Sequence, residues 1–260
     1  MKLPGLLFAL TALALPAGAQ DIVGGLPTQN FRAVGIGVQV APDWVMTVQH
    51  AAIGVGGTYG NGYGARTVAA VYTFADAAFP ANDIALLRLV PDGSNNSYPP
   101  VASEVFRPGG FRPLDVTIAS PSNHVPRGMG LTVATEAIPF YDDDGPGPLG
   151  PVPVNWLVTW DTTVHVESGD SGGGLFLGHV RDSSVLLGLT SALITDDAGA
   201  PLASAFVQPA AYKAWIAGIM HADLADEQML NWASVGEVPE PAAWMLGAAG
   251  LLLLAARRRP

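Results

Sequence analysis

A serine at the centre of a glycine-rich turn, Gly169-Asp170-Ser171-Gly172-Gly173, is the strongest chemical signal in this 260-residue chain. Glycine admits positive φ and leaves backbone N–H groups uncovered. Acyl transfer needs an exposed Ser Oγ next to such N–H groups, which can meet the oxyanion developing on a carbonyl. A serine hydroxyl is a weak nucleophile at its own pKa. It therefore needs a base, and the base needs a group that fixes its tautomer. Two upstream segments offer both. Trp44-Val45-Met46-Thr47-Val48-Gln49-His50 is an apolar strand ending in a histidine, and Asn82-Asp83-Ile84-Ala85-Leu86-Leu87 sets an acid just before another. Taken singly, these read equally as a hairpin turn, a surface histidine and an Asn-Asp turn. Taken together they supply a nucleophile, a base and an orienting carboxylate.

The chain order His, Asp, Ser on strand ends is that of the chymotrypsin-type triad. Over residues 22–220 the chain resembles the trypsin-like (chymotrypsin-fold) serine endopeptidases. The matching pieces are Ile22-Val23-Gly24-Gly25, the His50 segment, Asn82-Asp83-Ile84-Ala85-Leu86, the Ser171 turn, and Tyr212, Trp215 and Ile216 of a late helix. The resemblance implies Ser171 as nucleophile, His50 as general base and then acid, and Asp83 as the buried orienting carboxylate. It implies an oxyanion hole from the N–H groups of Gly169 and Ser171. It further implies that Asp170 pairs with the α-amino group of Ile22 once a two-residue propeptide, Gln20-Asp21, is removed. By its distance from Ser171, the resemblance also implies His165 at the base of the primary specificity pocket, Val166, Ser191, Leu193 and Ser204 on its walls, and a part for Ser191 in orienting Asp83. No aspartate stands at that base, which argues against cleavage after Arg or Lys. His165 either accepts an acidic side chain when protonated or floors an apolar-walled pocket. The chain departs from the family in having no cysteine, so packing and loop rigidity replace disulfides, and in Gly174, where proline is common. No metal or organic cofactor is implied.

These residues require strands to hold them. Short alternating or apolar runs at 34–40, 67–73, 85–89, 114–119, 130–134, 154–160 and 184–190 are separated by glycine and proline, the pattern of an all-β barrel or sandwich. With the resemblance, the expected fold is two antiparallel β-barrels of the chymotrypsin/trypsin type with a C-terminal helix, their junction near 91–112. Residues 209–219 place Tyr212, Trp215, Ile216 and Ile219 on one helical face, ready to dock on a core.

The ends read differently. Met1-Lys2, an apolar run over 6–16 and Ala17-Gly18-Ala19 have the layout of a secretory signal peptide, residues 1–19. The protease-like domain is then 20–221 and an acidic linker 222–237. Residues 238–260 open on Val238-Pro239-Glu240-Pro241, continue in a short apolar helix and close with the cluster Arg257-Arg258-Arg259. That layout resembles the PEP-CTERM sorting tail of Gram-negative bacteria, whose partners are the export machinery and an exosortase-type enzyme. The run is shorter than the ~20 residues of a stable transmembrane helix, and the resemblance to a tail that is removed during export implies transient inner-membrane anchoring on the way to the envelope or extracellular matrix. Residues 20–236 hold 8 of the 12 basic and 20 of the 22 acidic residues, or −12. Such a balance argues against nucleic-acid binding, which wants a basic face. The five histidines show no zinc spacing, and the acidic loop Tyr141-Asp142-Asp143-Asp144 reads as solvated surface rather than a calcium site. The expected function is an exported serine endopeptidase acting on polypeptides. The competing readings are a catalytically idle protease-fold surface or matrix binding module, and an esterase on the same fold.

Overall fold

The computed structural model describes residues 22–24, 31–77, 81–106, 112–114, 116–120, 124–126, 131–136, 156–178, 184–196, 198–223 and 230–235. The signal peptide, the sorting tail, the acidic 141–148 loop and the propeptide Gln20-Asp21 lie outside these. Strands β1 (Val34–Gly35), β2 (Gly37–Ala41), β3 (Trp44–Thr47), β4 (Thr58–Asn61), β5 (Gly64–Thr73) and β6 (Ala85–Leu89) form one antiparallel sheet in the order β1-β2-β3-β6-β5-β4. The sheet curls until its edges meet. The Gly62 N–H, beyond β4, donates to the Arg32 carbonyl ahead of β1 at 2.8 Å, and the buried Tyr59 hydroxyl donates to the Ala33 carbonyl at 3.0 Å. Burial raises the Tyr59 phenol well above its ordinary range, which keeps it a neutral donor.

The second sheet is built from β7 (Val101–Ala102), β8 (Arg112–Leu114), β9 (Val116–Ala119), β10 (His124–Pro126), β11 (Leu131–Glu136), β12 (Trp156–Thr159), β13 (Gly174–Leu177), β14 (Leu186–Thr195) and β15 (Pro201–Val207), followed by helix α1 (Lys213–Ala222) and β16 (Trp232–Ala233). Its main path runs β10-β9-β13-β14-β15-β12-β11-β8; β7 joins β14, and β16 joins β7, both in parallel. The architecture is all-β, two sheets and a C-terminal helix, and it matches the two-barrel plan of the chymotrypsin type.

Alternation along the strands explains how the two halves pack. On β3 and β6, Val45, Leu87 and Leu89 turn into the first sheet's own core with Tyr59 and Val68. Their neighbours Trp44, Met46 and Leu86 face the other way, into a shared cluster with Trp156, Val158, Leu189, Val207 and Ile216 of α1. The second sheet keeps a separate interior of Ile22, Val116, Ile118, Leu157, Leu175 and Phe206. Burying one such side chain contributes ~1.5–3 kcal/mol, so one or two of them match a disulfide's ~2–4 kcal/mol. That balance suits a chain without cysteine.

Several details differ from the periodic reading. The run 34–40 is two strands, because the chain reverses at Ile36 and pairs Gly35 with Gly37. The late helix starts as a 3₁₀ turn, Pro209–Tyr212, and continues as α1 to Ala222, with Ile216 and Met220 buried and Tyr212, Trp215 and Ile219 packed at the margin. Within the segment read as a linker, Trp232 and Ala233 form β16, while Leu230 and Val235 are buried. The Glu104 carboxylate accepts from the Ser234 hydroxyl and, at 2.8 Å, from the Val235 N–H. Apolar side chains inside an acidic stretch dock where a pure acidic tether would stay solvated. Among the described residues no helix is long and apolar enough to cross a membrane, and no group of three or more His, Asp or Glu is placed to hold a metal ion.

Candidate active site

The Ser171 turn is fixed from both sides. The Asp170 N–H donates to the Glu167 carbonyl at 3.1 Å, and the Gly173 N–H to the Asp170 carbonyl at 3.0 Å. Gly172 and Gly173 continue into the sheet: the Gly172 N–H donates to the Thr190 carbonyl and the Thr190 N–H to the Gly173 carbonyl, both at 2.8 Å. Gly169 and Gly172 carry φ of 102° and 83°, which l-side chains rarely adopt. Among the described residues the N–H groups of Gly169 and Ser171 find no backbone acceptor. They are therefore candidates to receive an oxyanion.

Strand register brings the base and the acid together. β3 and β6 pair Thr47 with Ala85. His50 lies three residues past Thr47, on a 3₁₀ turn Gln49–Ala51, and Asp83 lies two residues before Ala85. Both thus leave the sheet at the same edge. The His50 N–H donates to Asp83 Oδ1 at 3.1 Å, and His50 Nδ1 stands 2.9 and 3.0 Å from Asp83 Oδ1 and Oδ2. On the other side of the ring, His50 Nε2 is 2.9 Å from Ser171 Oγ. The Asp83 side chain is fully buried, whereas that of His50 is 27% exposed. A carboxylate at Nδ1 demands the Nδ1–H tautomer, which leaves the Nε2 lone pair facing the serine hydroxyl.

Ser191 occupies the remaining side of the acid. The β14–β15 register shifts between Thr190 and Ala192, and such a bulge re-aims the side chain it carries. The Ser191 hydroxyl donates to Asp83 Oδ2 at 2.5 Å. Ser191→Ala is expected to slow acylation of Ser171 by roughly 10- to 100-fold, since hydrogen bonds to charged groups are worth ~1.5–3 kcal/mol. The check is the second-order rate constant for fluorophosphonate labelling; a rate within twofold of wild type contradicts it.

The other residues singled out in the sequence lie as follows. Ile22 is buried in the second sheet's core beside Val166, and the Val23 N–H donates to the His165 carbonyl at 3.1 Å. Asp170 is also buried, its Oδ2 accepting the Glu167 N–H at 2.8 Å. His165 is buried, with Nε2 4.0 Å from Glu167 Oε1 and no hydrogen-bond partner for Nδ1 among the described residues. Val166 turns its side chain into the core and donates its N–H to Ser204 Oγ at 3.0 Å. Leu193 and Ser204 are cross-strand partners on β14 and β15. Ser191 serves Asp83, as above. Three contributors had no role assigned from the sequence: Thr190, whose backbone holds Gly172 and Gly173; Thr47, which meets the Gly172 turn; and the Tyr212 hydroxyl. Backbone bonds leave no signal in residue type, and Tyr212 read as part of an apolar helix face and of the family match, with no role for its hydroxyl.

No protein-family model matches the chain, and no curated protein matches it. Among solved structures, the inactivated protease paralogue S-I1 of the scabies mite is similar at 20% identity, covering 72% of this chain and 87% of its own, with a TM-score of 0.46. Kallikrein-related peptidase 10 is similar at 17% identity over 72% of this chain and 89% of its own, with a TM-score of 0.47. Rv3671c from M. tuberculosis, as an inactive serine-to-alanine mutant, is similar at 20% identity over 71% and 79%, with a TM-score of 0.42.

Proposed function

We propose that this chain is an exported serine endopeptidase that works through a Ser171 acyl-enzyme. The observation that carries the reading is one imidazole with both ring nitrogens engaged: Nδ1 on the buried Asp83 and Nε2 on Ser171 Oγ, each at 2.9 Å. Ser171 Oγ attacks the carbonyl carbon of the scissile peptide while His50 Nε2 takes the hydroxyl proton. The oxyanion is received by the Gly169 and Ser171 N–H groups. His50 then passes its proton to the departing amine, the C–N bond breaks, and the acyl group stays on Ser171. A water, deprotonated by His50 Nε2, attacks the ester and returns Ser171 to its hydroxyl form. Asp83 remains ionised throughout and stabilises the imidazolium. Export, with passage through an exosortase-type partner to the envelope or matrix, rests on the residue pattern of 1–19 and 238–260.

The test is fluorophosphonate labelling of the purified exported protein, with Ser171→Ala beside it. Covalent label on Ser171 in the wild type and none in the variant is the expected result. A folded protein with Ile22 at its N-terminus that takes no label would instead be an idle binding module. N-terminal sequencing of the labelled form decides the activation step: Gln20-Asp21 still attached to an active enzyme removes the Ile22–Asp170 ion pair from the mechanism.

A further inference from the structure

The polypeptide ahead of Asp83 is held from the far end of the chain. Tyr212 closes the 3₁₀ turn that leads out of β15, a strand of the second sheet. Its hydroxyl donates to the Ala81 carbonyl at 2.6 Å, two residues before Asp83 and on the first half of the molecule. The ring is equally fixed. It stands edge-on to Phe74 with centroids 5.1 Å apart, and Phe74 stands edge-on to Trp215 of α1 at 5.6 Å. Phe74 belongs to the segment that follows β5, and its N–H points to the Ile84 carbonyl at 3.5 Å. Residues 81–84 thus lie outside any strand, yet both flanks of Asp83 are tied to one aromatic cluster.

We propose that Tyr212 is a positioning residue for Asp83: its hydroxyl, anchored on the Ala81 carbonyl, sets the depth at which the carboxylate meets His50. The inference rests on the proposed serine chemistry for its effect on rate, but not for its effect on geometry. Asp83 makes its hydrogen bonds to His50 on one half of the molecule and to Ser191 on the other. A backbone brace running between the same two halves keeps those contacts in register, as positioned catalytic groups require. The phenol is suited to the task because it stays a donor. Burial, with the Asp83 charge adding to it, pushes its pKa up to about 12.

Tyr212→Phe in the full chain keeps the ring and deletes only the hydroxyl. The expected result is a labelling rate at Ser171 lowered about 10-fold, part of the ~100-fold that a 1 Å misplacement costs, with kcat reduced and KM unchanged on a peptide substrate. The His50 Nδ1 proton, read by NMR as the downfield imidazole signal, is expected to shift or broaden. Ile219→Ala serves as the structural comparison, since Ile219 packs on the same helix against the core without a bond to the 81–84 loop. It should lower Tm and leave both the rate and the imidazole signal in place. The inference is overturned if Tyr212→Phe labels within twofold of wild type with an unmoved imidazole proton, or if Ile219→Ala reproduces the same loss. Should the wild type with Ile22 at its N-terminus take no label, the serine chemistry fails on its own. The imidazole proton then decides alone, a shift in Tyr212→Phe upholding the positioning role and an unmoved signal ending it.

Discussion

His50→Ala is expected to lower kcat for peptide hydrolysis on the order of 10⁶-fold, the loss seen when the base of a serine triad is removed, while barely changing Tm. The two halves of that expectation have separate causes. Chemically, His50 Nε2 is 2.9 Å from Ser171 Oγ, and without it the hydroxyl must ionise against its own pKa. Structurally, the imidazole is partly exposed and is absent from the buried clusters. Asp83 also keeps two donors after the change, the backbone N–H of residue 50 at 3.1 Å and the Ser191 hydroxyl. The carboxylate is therefore not stranded, and the several-kcal/mol cost of an orphaned buried charge does not arise. Asp83→Asn sharpens the point. It preserves shape but offers an amide N–H to Nδ1, which places the imidazole proton on Nε2 against Ser171. A loss of about 10⁴-fold follows from the wrong tautomer. Active-site-titrated kcat for both variants, with thermal melts alongside, checks the pair. Activity within tenfold of wild type in either would remove the triad from the mechanism.

Much of this was readable from residue types, and the boundary has physical causes. His50, Asp83 and Ser171 stand out because each departs from its surroundings: a base and an acid at the ends of apolar strands, a hydroxyl among glycines. β6 was readable as an apolar run, Ala85–Leu89, broken only by Arg88, which is buried and paired with Asp43 at 2.9 Å and Asp223 at 3.2 Å. β4, β13 and β15 were not readable. They are short or rich in Gly, Ala and Ser, and tertiary pairing rather than propensity makes them strands. The docking of Leu230, Trp232 and Val235 was hidden by the acids around them. Ser191 shows the limit most clearly. Its residue type fits a pocket wall and a hydrogen bond to the acid equally well, and it is the one-residue bulge in β14 that turns its hydroxyl toward Asp83.

Gly172→Ala should destabilise the protein by about 2–5 kcal/mol, combining a left-handed φ for a residue with Cβ with overpacking of a filled contact. Gly172 has φ +83°, and a Cβ built there would lie 2.5 Å from Thr47 Oγ1 and 2.8 Å from the Ile36 carbonyl oxygen. Neither atom yields cheaply. One is backbone, and Thr47 Oγ1 donates to that same Ile36 carbonyl at 2.8 Å, so rotating it away sacrifices a hydrogen bond. The halves must separate instead. Thr47 leads directly to His50 and Gly172 directly follows Ser171, so the gap opens along the His50–Ser171 line. A 1 Å displacement there costs about 100-fold in rate. Gly178→Ala isolates the second effect. Its φ is +79°, but nothing stands within 4 Å of an added Cβ, so it bears only the backbone cost of ~1–2 kcal/mol. Thermal melts and Ser171 labelling rates on both variants separate the terms: both lose Tm, and only Gly172→Ala loses rate. Equal labelling by the two would mean that the approach of the halves at Gly172 does not set the distance between base and nucleophile.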